Sequence, residues 1–282
     1  MKSYPLETVV GIARKEGVKN VSRVRQFFTI TGRVLLVLVF LVLAHALLAF
    51  FPQPLFAHRF DHKNYTLYMR EEIPPEAEEV LERVDHLLAA SEVNDTGRHY
   101  RAFIFNNDRL MRFLLWRNVH FGCNLPNGNS MITRAEVATD TAYCQRFGPW
   151  DTRLRTLSET IAHEISHAQI DGFLGWRAAR RQPRWIIEGY CEYVAQGSAI
   201  DHGLGLDLLK CGGFTPGLAN FRARLMMEYL LNHEGMTFGE LVIEPPDQRQ
   251  VEARVLAMLR EDEPAFLAAI GSRIAPERLS AK

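Results

Sequence analysis

The chain has no excess of charge of either sign. Thirty-three Lys and Arg balance 33 Asp and Glu, so the formal net charge is zero. A basic footprint for nucleic acid is therefore missing. Cysteine is scarce, with four in 282 residues, and no pair has C-x-x-C spacing, which argues against a cysteine-based zinc site. Internal repeats and low-complexity segments are also missing. With 47% hydrophobic residues the chain can bury a sizeable core.

The first sixty residues stand apart from that core. Val34 to Phe51 is an eighteen-residue run without a formal charge, and its apolar character continues, broken by prolines, to Phe56. That length meets the threshold for a membrane span, so residues 34–56 are expected to form an anchor in a lipid bilayer. A cleaved signal peptide is the alternative. The long preceding segment, the long apolar run and the poor cleavage site at Leu55-Phe56-Ala57 favour the anchor.

Six basic residues (Arg14, Lys15, Lys19, Arg23, Arg25, Arg33) precede the run and three (Arg59, Lys63, Arg70) follow it. The bias predicts a cytoplasmic N-terminal segment, 1–33, and a domain at 57–282 on the extracytoplasmic side. All four cysteines, Cys123, Cys144, Cys191 and Cys211, fall in that domain. An even count there fits two disulfides in any of three connectivities, with the nearest-neighbour pairs Cys123–Cys144 and Cys191–Cys211 as the expectation. Buried free thiols are the alternative. The segment from Phe56 to Asn64 spans at most about 28 Å, which keeps the domain close to the bilayer.

Most of the chemistry is concentrated in two short stretches. His163-Glu164-Ile165-Ser166-His167 is an H-E-x-x-H motif in a segment that reads as a helix, Leu157 to Ile170. Residues i and i+4 share a helical face, so both imidazoles can reach one metal ion, while Glu164 lies close enough to act on a water there. Two neutral histidines suit zinc, with the carboxylate as general base. The motif alone can arise by chance. The second stretch is Trp185-Ile186-Ile187-Glu188-Gly189-Tyr190-Cys191-Glu192-Tyr193, where Glu188 and Glu192 again share a face. One carboxylate can complete a metal shell and the other can fix the tautomer of a ligand histidine.

Together the two stretches resemble the gluzincin metallopeptidases of the thermolysin-like clan, especially compact members whose second helix reads W-[LI]-x-E-G-x-A-E-Y. The resemblance implies that His163, His167 and Glu188 hold Zn2+, that Glu164 is the catalytic base, and that Glu192 supports His163. It covers about 64–242 and places Cys191 where Ala is usual. It also implies an α+β zincin domain, with a small mixed sheet, a zinc helix, a glutamate helix and further C-terminal helices. Ser130 to Val137 would be the edge strand that pairs with a polypeptide substrate. Such enzymes often supply an oxyanion donor, Tyr or His, from a later helix. Here Phe221 stands in that place, with His202, His233, Tyr190 and Arg222 as unranked substitutes. The expected activity is peptide hydrolysis near a membrane. The alternative is a catalytically silent zinc-binding or partner-binding domain. The polar flank of Arg155, Glu159, Gln169 and Asp171 argues against an intramembrane site.

The remaining expectations concern local structure. Strands are expected at 64–70, 100–105 and 131–137. Helices are expected at 76–90, 109–116 capped by Asp108, 156–172, 184–198, 215–232, 238–242, 247–260 and 263–270. Residues 173–182 read as a loop that, with Arg184, carries Arg177, Arg180 and Arg181. That arginine group reads either as a solvated rim or as a site for a substrate carboxylate or phosphate.

Overall fold

The computed structural model describes residues 29–116, 121–143, 155–215 and 217–271. The basic segment up to residue 28 and Cys144 lie outside the described residues. Helix α1, Thr29–Phe50, is 22 residues long. At 1.5 Å per residue it reaches about 33 Å, enough to cross a hydrocarbon core. Its side chains are open, with Leu36 70% and Phe40 68% exposed. The helix begins and ends earlier than the expected 34–56. Residues from Pro52 onward belong to a second compact unit. Within that unit Phe56 is buried, its ring 5.0 Å from Phe105 and 5.2 Å from Phe103. The connecting segment expected between 56 and 64 is instead mostly strand.

The second unit is mixed α+β. Five strands order as β1-β2-β3-β5-β4. They are β1 His58–His62, β2 Tyr65–Met69, β3 Tyr100–Ile104, β4 Gly122–Asn124 and β5 Asn129–Ile132. The β1–β2 and β4–β5 pairs are antiparallel, and β2–β3 and β3–β5 are parallel. Parallel β2 and β3 need a crossover, which α2 (Ala77–Ala89) provides. Its buried stripe, Val80, Leu81, Val84 and Leu88, recurs at three- and four-residue intervals and packs into the core. A short antiparallel sheet follows, from β6 (Ala135–Glu136), β7 (Thr141–Ala142) and β8 (Arg155–Thr156).

Helix α3 (Asp108–Leu115) is capped by Asn107, whose side chain accepts from the amides of Arg109 and Leu110, and not by Asp108. The 130–137 segment is not an edge of the five-stranded sheet. Its first half is β5, flanked by β3 and β4, and only its second half, β6, is the outer strand of the short sheet. The edge beside β5 is β4, a three-residue strand too short to announce itself.

The other helices are α4 Leu157–Leu174, α5 Trp176–Ala179, α6 Arg184–Ala195, α7 His202–Cys211, α8 Leu218–Glu228, α9 Phe238–Ile243, α10 Gln248–Glu261 and α11 Glu263–Ala269. A π-helical turn, Tyr229–His233, extends α8. The expected loop at 173–182 is largely helical, because α4 runs to Leu174 and restarts as α5 after Gly175, whose φ of 81° breaks the helix. Helix α7 was not expected, since two glycines weaken its propensity. Gly205 has a packing reason: a Cβ there would lie 2.6 Å from the ring of Phe221.

The disulfide expected between Cys191 and Cys211 does not form. Cys191 is a buried free thiol in the middle of α6, and Cys211 is an exposed free thiol at the end of α7. Cys123 is buried on β4, and its expected partner Cys144 is not described.

Candidate metal centre

Helix α4 starts firmly. Thr156 and Glu159 form a reciprocal capping box. Asp140 adds a second clamp, accepting from Ser158 N and Ser158 Oγ, both at 2.7 Å. These negative groups also suit the positive end of the helix. The helix then packs against α2, α6, β4 and β5. Its inward face carries His163 and His167 one turn apart, with ring centroids 5.0 Å apart.

Helix α6 supplies the third donor. Glu188 Oε2 lies 3.6 Å from His163 Nε2 and 4.0 Å from His167 Nε2. One donor atom from each residue lies within 4.8 Å of the other two. Donors at zinc-ligand bond lengths in a tetrahedron sit about 3.4 Å apart, so the two measured edges would shorten by about 0.2 and 0.6 Å and the edge between the imidazoles by at most about 1.4 Å. Among the described residues these three form the one group of metal-ligating side chains that converges in this way. Two imidazoles and a carboxylate suit zinc.

The charge states suit a metal as well. Burial pushes His167 down to about 4, with the charges of His163, Arg180 and Arg184 adding to the effect. Burial would raise Glu188, but the close approach of the His163 ring and the charges of His167, His163 and Arg184 hold it down at about 2. A neutral imidazole and an ionised carboxylate are the forms that bind a cation. His163 moves the other way. Burial lowers it, and the carboxylates of Glu192, Glu188 and Glu164 more than restore it.

Glu192 lies behind His163, with Oε1 3.6 Å from His163 Nδ1. That nitrogen is buried without a hydrogen bond, so a small closure would give it a partner. Two further residues hold the arrangement, and neither was foreseen. Arg155 on β8 grips Glu192 with two bonds, of 2.9 and 3.2 Å, both side chains being almost fully buried. Asn220 on α8 donates to Glu188 Oε2 at 3.2 Å and to Glu192 Oε1 at 3.5 Å. Arg155 reads in sequence as one more polar flank of α4, and Asn220 has no sequence signal at all. Gly189 explains the G of the second motif. A Cβ there would lie 2.6 Å from Ala223 O, so only glycine lets α6 and α8 approach this closely.

Glu164 is buried beside the sheet edge. A Cβ on Gly122 of β4 would lie 2.9 Å from Glu164 Oε1. Burial raises its carboxyl to about 7, with Glu188 and Glu192 adding to the rise and His163 and Arg155 opposing it. That value is suited to taking and returning a proton near neutrality.

The structure separates the candidate oxyanion donors. Phe221 is buried, its ring edge-on to His202 at 5.4 Å. Tyr190 is tied to Ser91 Oγ and Glu92 N and stacks on Phe238. Arg222 pairs with Glu252 at 2.7 Å. His233 lies on the π-helical turn, its ring 5.2 Å from that of Tyr229. Two of the four therefore already have structural duties. No protein-family model matches the chain, and a search of curated proteins finds no relative.

Proposed function

We propose that this chain is a membrane-anchored zinc metallopeptidase of gluzincin type. One observation carries the reading: His163, His167 and Glu188 converge from two helices, with Glu164 buried beside them against an antiparallel sheet edge. A bound zinc would acidify a water and polarise the scissile carbonyl. Everything else is work for the chain's own groups. Glu164 takes the proton from the attacking water and returns it to the leaving amine. Glu192, held by Arg155, orients His163, and Asn220 orients Glu188. Edge strand β4 offers main-chain groups to an extended polypeptide beside Glu164.

The apolar helix suits an anchor or a secretory signal alike. The basic bias before it supports the anchor with a cytoplasmic N-terminus and an extracytoplasmic catalytic domain. Because the folded unit begins at Pro52, directly after the apolar run, the natural substrates are proteins or peptides close to the bilayer. A second reading is a silent zinc-binding or partner-binding domain. The buried phenyl ring of Phe221, where a hydroxyl or imidazole would be useful, favours it.

Glu164→Gln tests the choice. It keeps size and leaves the three metal ligands in place. In the full chain, with unstructured peptides, it should lower chelator-sensitive hydrolysis at least about 100-fold, the scale of a lost general base. Equal cleavage by both proteins, or no chelator-sensitive cleavage by wild type, would give the silent domain the better claim.

A further inference from the structure

The arginine group near the metal site has no part in the hydrolytic step. Arg177, Arg180, Arg181 and Arg184 are all exposed. Two of them reach toward the metal site. Arg184 opens α6 one turn before Glu188; its Nε lies 3.6 Å from Glu188 Oε1, while its side chain is 86% exposed. Arg180 is steadied over the Trp176 ring, 5.6 Å from the centroid, and its charge is felt at His167.

An exposed i, i+4 ion pair accounts for only part of Arg184. Such a pair adds little to a helix and uses one edge of the side chain. A guanidinium is a planar fork of five donors that matches a carboxylate with two parallel bonds. Here the Nε edge faces Glu188, and the exposure leaves the remainder of the fork open to solvent beside the metal ligands. Coordination by Glu188 would draw that carboxylate's charge toward the metal and leave the guanidinium less compensated.

Distance then limits what the fork can hold. Carboxylate-to-zinc bonds are near 2 Å, so Arg184 Nε sits within about 8 Å of the metal position. The free edge of the guanidinium and its hydrogen bond add about 5 Å, and an extended peptide advances about 3.3–3.6 Å per residue, so the partner group lies within about four residues of the scissile bond. We propose that Arg184, with Arg180 beside it, forms a carboxylate-recognition subsite, so that the chain selects peptides bearing a carboxylate close to the bond it cuts. The inference rests on the hydrolytic reading for the word "cuts", but not for the binding. The carboxylate is either a free C-terminus or an Asp or Glu side chain.

Binding is measured with the full chain in detergent, zinc-loaded and carrying Glu164→Gln so that peptide is held without turnover. Four fluorescent peptides are titrated: free acid, C-terminal amide, and amides with an internal Glu or Gln. The free acid or the Glu peptide should bind about 10- to 100-fold tighter than its neutral twin, the scale of one charge-assisted pair. Which pair differs identifies the source of the carboxylate. Adding Arg184→Ala should erase the difference, and Arg184→Lys should keep part of it. Equal binding of acid and neutral peptides would overturn the subsite. So would a preference that survives Arg184→Ala, since the metal itself would then be the anion's partner. Wild-type hydrolysis separates the two claims. Chelator-sensitive cleavage without carboxylate preference sinks the subsite alone, and selective binding without any cleavage sinks the peptidase alone.

Discussion

Gly189→Ala probes how the helix crossing holds the metal ligands. The new Cβ would sit 2.6 Å from Ala223 O and 3.0 Å from Ala223 C, both backbone atoms of α8. Carbon–oxygen contacts settle near 3.3 Å or more, so α8 must retreat by at least about 0.7 Å. Asn220 lies one turn before Ala223 and travels with it. Its bonds to Glu188 and Glu192, now 3.2 and 3.5 Å, would then exceed hydrogen-bond length. Overpacking costs about 1–3 kcal/mol, and the better helix propensity of alanine returns up to about 1 kcal/mol. A net loss of about 1–2 kcal/mol corresponds to a fall in Tm of roughly 2–8 °C for a domain of this size. Zinc affinity should fall about 10- to 100-fold, the usual effect of a lost partner behind a ligand. Near-UV circular dichroism melts of the detergent-solubilised chain read the first effect, and competition with a chromophoric chelator reads the second. A variant that melts at or above wild type and binds zinc equally well would refute the crossing argument.

Three other outcomes are expected. Gly122→Ala would press on Glu164 Oε1 and Cγ from 2.9 and 3.0 Å, so peptide hydrolysis should fall more than about 10-fold through a displaced base, at unchanged zinc content by elemental analysis. Arg155→Ala leaves Glu192 buried without its ion-pair partner, and denaturant unfolding should show a loss of about 3–5 kcal/mol. In the metal-free chain the carboxyl of Glu164 is raised from 4.5 to about 7. The folded state therefore holds a proton that the unfolded state has lost, and this group's contribution falls as pH rises from 4.5 through 7. Glu164→Gln should accordingly stabilise the metal-free chain by about 3 kcal/mol more at pH 8 than at pH 4, read from denaturation midpoints in chelator; an equal gain at both pH values would contradict the burial argument.

What the sequence revealed was local. His163 and His167, and Glu188 and Glu192, are each set by helical spacing inside one element, so the periodicity alone places them on a common face. The buried stripe of α2 is legible for the same reason. What crosses between elements is not. Arg155 reaches Glu192 from a two-residue strand, and Asn220 arrives from a helix 28 residues beyond Glu192. Strands β1 and β4 are polar or very short, and they gain their identity from the neighbours they pair with. Helix α7 is glycine-weakened and stands because Phe221 fills the space over Gly205. The Cys191–Cys211 pairing rested on nearness in sequence, while α6 keeps Cys191 in the core and α7 ends with Cys211 in solvent.

The most direct test of the central claim is zinc stoichiometry, measured by elemental analysis of the purified full chain after dialysis. Wild type and Glu164→Gln should each retain one zinc per chain, because Glu164 is the base and not a ligand. Glu188→Ala should retain less, and the His163→Ala, His167→Ala pair almost none, since each change removes ligands from a set of three. Stoichiometric zinc in the double-histidine variant, or none in wild type supplied with zinc, would contradict the account.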